Sequence, residues 1–95
     1  MSYIVIQTSV FERCIKKLHA DQKEDLFKAI QTIVINPNIG RIKVGDLQGL
    51  RVYKFKMSKQ EMLLAYKLSS DLKEIWLHYL DSHQNFYRDL KKIIN

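Results

Sequence analysis

Apolar residues follow the repeat of a helix up to Gly40 and the repeat of a strand beyond it. A short β-prone run, Tyr3-Ile4-Val5-Ile6, comes first and reads as a strand. Val10, Phe11, Cys14, Ile15 and Leu18 then form the stripe of an amphipathic helix. Ser9-Val10-Phe11-Glu12 has the form of a capping box, which makes Ser9 the expected cap. Leu26, Phe27, Ile30, Ile33 and Val34 form a second stripe, with Asp21 of Asp21-Gln22-Lys23-Glu24 as its expected cap and Asn36-Pro37-Asn38 as its stop. The pattern predicts two antiparallel helices joined by a tight connection.

Beyond Gly40 the period-2 pattern predicts strands at 41–44, 50–57, 62–68 and 74–80, with turns at 45–49, 58–61 and 69–71. In Arg51-Val52-Tyr53-Lys54-Phe55-Lys56-Met57 the alternation puts Tyr53, Phe55 and Met57 on one face and Val52, Lys54 and Lys56 on the other. The last two strands are almost continuously apolar, so the helix pair is expected on one face and partial cover on the other. Asp81-Ser82-His83-Gln84 leads into a short helix expected at 85–94. The sum is an α+β fold over a single domain, residues 1–95: a strand and helix pair packed on an antiparallel meander, closed by a short C-terminal helix.

Composition is that of an ordered globular chain, 46% hydrophobic and 27% charged with one proline and three glycines. With no run of eighteen apolar residues and no signal-peptide pattern at the N-terminus, the expectation is a cytoplasmic protein with no membrane contact. The single Cys14 excludes an internal disulfide and is expected to be buried and inert. The net charge of +6 is concentrated: residues 41–67 hold seven cations against Asp46 and Glu61, which leaves +5 in that stretch. Such a surface suits an anionic partner, either nucleic acid or an acidic protein.

Lys54 and Lys56, about 6 to 7 Å apart by strand rise, match the spacing of adjacent backbone phosphates, although a solvated strand face has the same pattern. His83 and Tyr87 are four apart and share a face if the last helix begins near His83, a spacing that packing or capping residues also show. His78 is expected to be a core histidine. His19, His78 and His83 lack metal-ligand spacing, so no metal and no cofactor are expected. The 45–51 segment lacks the Gly-Lys-Ser/Thr ending of a phosphate loop. Cations, an imidazole and a phenol can together cleave an RNA phosphodiester without a metal: a base takes the 2′-hydroxyl proton, cations hold the phosphate, and an acid protonates the leaving oxygen.

The whole chain resembles the RelE/ParE superfamily of bacterial type II toxin-antitoxin toxins. The resemblance rests on the order of elements and on three segments. These are Asp46-Leu47-Gln48-Gly49-Leu50-Arg51 before Lys54-Phe55-Lys56, then Leu63-Leu64-Ala65-Tyr66-Lys67-Leu68, and the closing Asp81-Ser82-His83-Gln84-Asn85-Phe86-Tyr87-Arg88-Asp89-Leu90-Lys91. It implies a microbial ribonuclease-like architecture, a ribosome-dependent endoribonuclease acting on mRNA in the A site, and silencing by a cognate acidic antitoxin. By position it implies that Lys54 and Lys56 hold the mRNA and its transition-state phosphate, that Tyr87 contacts the nucleotide at the cut, and that His83 is the general acid or base. Arg51, Lys59, Lys67, Arg88 and Lys91 are the further expected RNA contacts. Two departures stand out. Apolar Met62 or Leu63 replaces the arginine of RelE's next strand, and Asp46, with Glu61 as a second candidate, stands where YafQ-like toxins carry a histidine and an aspartate. The alternative within the same superfamily is a ParE-like gyrase inhibitor without catalytic residues.

Overall fold

A computed structural model describes residues 3–43, 45 and 49–89. The elements run β1 (Ile4–Gln7), α1 (Ser9–Lys16), α2 (Ala20–Ile35), β2 (Arg41–Ile42), β3 (Arg51–Met57), β4 (Gln60–Ser69) and β5 (Glu74–Ser82). Residues 86–89 form a helical turn, and the rest of the helix expected to reach residue 94 lies outside the described residues.

All five strands join one sheet in the order β1-β5-β4-β3-β2. From β2 to β5 the pairings are the antiparallel ones expected. At the other edge β1 runs parallel to β5, with Ile4 opposite Glu74, where the period-2 pattern had suggested only a meander. The reason is geometric: parallel neighbours need a long crossover, and everything between Gln7 and Glu74 supplies it. The amides of Ile4 and Thr8 donate to the carbonyls of Lys73 (2.8 Å) and Leu77 (3.1 Å), closing the free side of β5.

Both helix caps fall one or two residues before their expected positions. Thr8, in extended conformation, caps α1, its hydroxyl accepting from the Phe11 amide at 3.2 Å, and Ser9 is already helical. His19 occupies the cap of α2, where Gln22 Oε1 accepts from the His19 amide at 2.8 Å. Asp21 is thereby released for a tertiary role. Its carboxylate accepts from the Ser58 hydroxyl (3.3 Å) and that of Asp25 from the Ser58 amide (2.8 Å), which ties α2 to the β3–β4 hairpin. That hairpin is a two-residue turn, tighter than expected, with Ser58 (φ 49°) and Lys59 (φ 72°) both left-handed as a type I′ turn requires.

The sheet is covered on both sides, which explains why β4 is buried without a break from Met62 to Tyr66. Met62, Leu64 and Tyr66 point to the helices and join Phe11, Leu26, Ile33, Ile75 and Leu77 in the main core. Leu63 and Ala65 point the other way and, with Leu50 and Val52, are covered by the fully buried Phe86. Gly40 is required by close approach. Its amide donates to the Tyr66 hydroxyl at 3.0 Å, that hydroxyl donates to the Pro37 carbonyl at 2.6 Å, and a Cβ on residue 40 would lie 2.7 Å from the same oxygen. The loop leaving α2 is thus anchored beside the face opened by β2 and β3.

Candidate functional site

The register sets out the solvent-facing side of the sheet rung by rung. Val52 pairs with Ala65 and Ala65 with Tyr79; Lys54 pairs with Leu63 and Leu63 with Asp81; Lys56 pairs with Glu61. Beyond Met62 and Ser82 the ladder extends one rung further, because the His83 amide donates to the Glu61 carbonyl at 3.1 Å. Lys56, Glu61 and His83 are therefore consecutive across three strands. Phe86 holds the segment that follows by packing on Val52, Leu63 and Ala65, edge-on to Tyr87 (5.0 Å between centroids) and tilted against Tyr79 (5.8 Å).

This packing opens a cleft of about 380 Å³ lined by Arg41, Lys43, Lys54, His83 and Tyr87 over a floor of Ile39, Val52 and Leu63. The Lys43 ammonium lies 5.3 Å from the centre of the Tyr87 ring, within cation–π range. Lys54, His83 and Tyr87 are thus brought together from β3 and the C-terminal segment. Lys56 stands outside the cleft, along the uncovered edge of β3 in a groove with Asp25, Lys28 and Thr32 of α2.

The other expected RNA contacts are dispersed. Arg51 turns towards the α2–β2 loop, where its guanidinium donates to the carbonyls of Gly40 (3.0 Å) and Asn38 (3.4 Å). Lys59 is at the hairpin tip, exposed. Lys67 is opposite Trp76 on β4, with its Cε 3.2 Å from the position a Cβ on Gly49 would take. Arg88 pairs with Asp89 (3.2 Å) and Asn85 (3.3 Å), and Lys91 and Asp46 lie outside the described residues. In exchange the cleft recruits Arg41 and Lys43, which sequence reasoning counted in the basic stretch without assigning them to the site. Their signal was present: Arg41 and Lys43 alternate two apart, as Lys54 and Lys56 do, and β2 pairs with the start of β3.

Several titratable groups outside the cleft lining are held in their neutral forms by burial. Tyr79 is pushed well above the usual phenol range by burial and by its hydroxyl donating to Asp81 at 2.8 Å. The other Asp81 oxygen accepts from the Ser82 amide at 2.7 Å, so each oxygen of that carboxylate has a hydrogen-bond partner. His78 is lowered by burial and by the Lys67 charge, and its backbone carbonyl accepts from the Thr8 hydroxyl at 3.3 Å. Cys14 is half-buried against the main core and its thiol is pushed up by desolvation, which suppresses the reactive thiolate. The Lys54 Nζ is 4.0 Å from the Glu61 carboxylate, and Lys56 is the cross-strand partner of Glu61.

The model of the ParE-like toxin of type II bacterial toxin-antitoxin systems matches residues 5–91. The chain belongs to that family. Among solved structures this ParE-like toxin is similar to an arginine double mutant of E. coli toxin RelE in the free state. The identity is 15%, with 98% of this chain and 96% of that one covered and a TM-score of 0.75. It is also similar to the RelBE2 toxin-antitoxin complex of Mycobacterium tuberculosis (16% identity, 87% and 100% covered, TM-score 0.70). The intact E. coli RelBE complex is a third such structure (18% identity, 84% and 95% covered, TM-score 0.68). No curated protein matches the chain in sequence. At these identities the likeness establishes a RelE-like fold, and the residues of the cleft carry the argument about its chemistry.

Proposed function

We propose that this ParE-like toxin is a ribosome-dependent endoribonuclease that cleaves mRNA in the A site, stops translation and is neutralised by a cognate acidic antitoxin in the cytoplasm. The observation that carries the reading is the cleft itself, where Arg41, Lys43 and Lys54 surround His83 and Tyr87. Three cations on a concave surface attract a phosphodiester and stabilise the charge that grows on it in the transition state. An imidazole titrates where proton transfer is useful, and a phenol offers a ring for stacking and a hydroxyl for positioning. Lys56, one rung from Lys54, extends the cationic track along the strand. Antitoxin binding is supported by the structural neighbours that are toxin-antitoxin complexes and by a net charge of +6 that favours an acidic segment.

The family model is ParE-like, so gyrase inhibition is the competing reading. A gyrase binder needs no imidazole beside a phosphate-binding lysine, and this favours the ribonuclease. The test is in vitro translation with mapping of mRNA ends, run beside a supercoiling assay. The expectation is new 5′ ends within codons in the presence of toxin, lost in His83→Ala with Tyr87→Phe, and unaffected supercoiling. Intact mRNA with impaired supercoiling, and full toxicity of that folded double mutant, would assign the gyrase function instead.

A further inference from the structure

Cleavage through the 2′-hydroxyl moves two protons, one off the attacking oxygen and one onto the leaving oxygen, and the cleft lining contains one imidazole for both tasks. On the ribonuclease reading above, we propose that Glu61 accepts the 2′-hydroxyl proton and that His83 donates to the leaving oxygen.

Elimination and position both lead there. Among the described residues on this side of the sheet, the lysines and arginines are cations with no acceptor at neutral pH. The Tyr79 phenol is held protonated by its surroundings, and Asp81 is turned to Tyr79 and Ser82, with one hydrogen bond accepted on each oxygen. Glu61 remains, about half exposed, outside the cleft lining but next to Lys54, Leu63 and His83 of it, with its carboxylate 4.0 Å from the Lys54 ammonium. It is the residue between Lys56 and His83 on their shared rung, joined to His83 by a backbone hydrogen bond. Neighbouring side chains on such a rung are about 4.5 to 5.5 Å apart at Cβ. A scissile phosphate over this rung would meet a carboxylate and an imidazole side by side, with Lys54 and Lys56 on its non-bridging oxygens.

The simpler explanations do not account for the position. An exposed ion pair of this length contributes little to stability. For binding, a carboxylate opposite Lys56 and beside Lys54 is adverse, because it weakens the field that attracts phosphate. A proton acceptor is the role in which its charge is useful. In the step, the 2′-O–H proton passes to Glu61, the 2′-oxygen bonds to phosphorus, the P–O5′ bond breaks, and the His83 imidazolium protonates O5′. The products are a 2′,3′-cyclic phosphate and a 5′-hydroxyl, and solvent returns the transferred proton from Glu61 to His83.

The test is single-turnover cleavage of mRNA on programmed ribosomes by the wild type, Glu61→Gln, Glu61→Asp and His83→Ala. Each is paired with binding of a single-stranded RNA whose cut-site sugar is 2′-deoxy. Glu61→Gln should slow cleavage by about 10² to 10⁴ while binding the uncleavable RNA at least as tightly as wild type, since a negative charge has been removed. Glu61→Asp should keep part of the rate. An mRNA with bridging 5′-sulfur at the cut needs no proton on its leaving group, so it should restore His83→Ala and leave Glu61→Gln slow. Wild-type cleavage by Glu61→Gln, or its restoration by the sulfur leaving group, would overturn the role of Glu61 and leave the ribonuclease reading standing. Absence of cleavage by the wild type itself would overturn both.

Discussion

Lys59 holds a backbone conformation that suits glycine far better. At φ 72° its Cβ crowds the backbone, a strain of about 1 kcal/mol that the type I′ geometry imposes on any L-residue. Its side chain is exposed, so nothing in the packing offsets the strain. Lys59→Gly should therefore stabilise the protein by up to about 1 kcal/mol, which raises the melting temperature by about 4–8 °C for a domain of this size. Scanning calorimetry of the single variant checks this. RNA cleavage should be nearly unchanged, because Lys59 sits at the hairpin tip and outside the cleft lining. The same turn shows why its length was not read correctly from sequence. Ser58-Lys59 carries neither the Asn nor the Gly that marks a two-residue hairpin, and the turn is held from outside by Asp21 and Asp25 of α2.

Among the elements, the short segment after β5 has an influence beyond its length. Phe86 is fully buried against Val52, Leu63 and Ala65, and it anchors the segment that carries His83 and Tyr87, beside the His83 bond to Glu61 and the Lys43 contact on Tyr87. Phe86→Ala should lower the unfolding free energy by about 3–5 kcal/mol, and Phe86→Leu by less than half of that. Urea denaturation measures both. Cleavage should fall in the Leu variant although neither His83 nor Tyr87 is changed, because the cleft wall loosens. Much at this scale was legible in the sequence: the helical stripes, the amphipathic β3 and the double-sided burial of β4 all follow from spacing. Less legible was how elements meet. The capping boxes at Ser9 and Asp21 were plausible locally, yet Thr8 is drawn to the end of β1 by its bond to Leu77, and Asp21 is taken by the hairpin. The parallel docking of β1 on β5 joins residues seventy apart and leaves no local trace.

For the whole molecule, on the ribonuclease reading, charge placement decides how it would meet RNA. Arg41, Lys43, Lys54 and Lys56 lie along one side of the sheet while Arg51, Lys59 and Arg88 point elsewhere, so about four phosphates should be neutralised, not seven. Affinity for single-stranded RNA should then fall with a log–log salt slope near −3, and Lys43→Ala with Lys54→Ala should flatten it by about one and a half units. Fluorescence anisotropy across a salt series measures it, and Arg51→Lys should leave the slope unaltered. This track was only half visible in sequence: the basic stretch marked the region, but which side chains share a cleft depends on the register between β2 and β3. The pairing of β1 with β5 also governs the order in which the chain can be completed. A nascent chain that has emerged as far as residue 73 carries β1, both helices and three strands, yet the strand between β1 and β4 does not exist until Glu74–Ser82 follows, with His83 and Tyr87 later still. Nascent chains therefore carry an incomplete sheet and no cleft. The cleft is completed only once β5 and the segment after it have been made, and an antitoxin already present can meet the toxin as that strand slots into place.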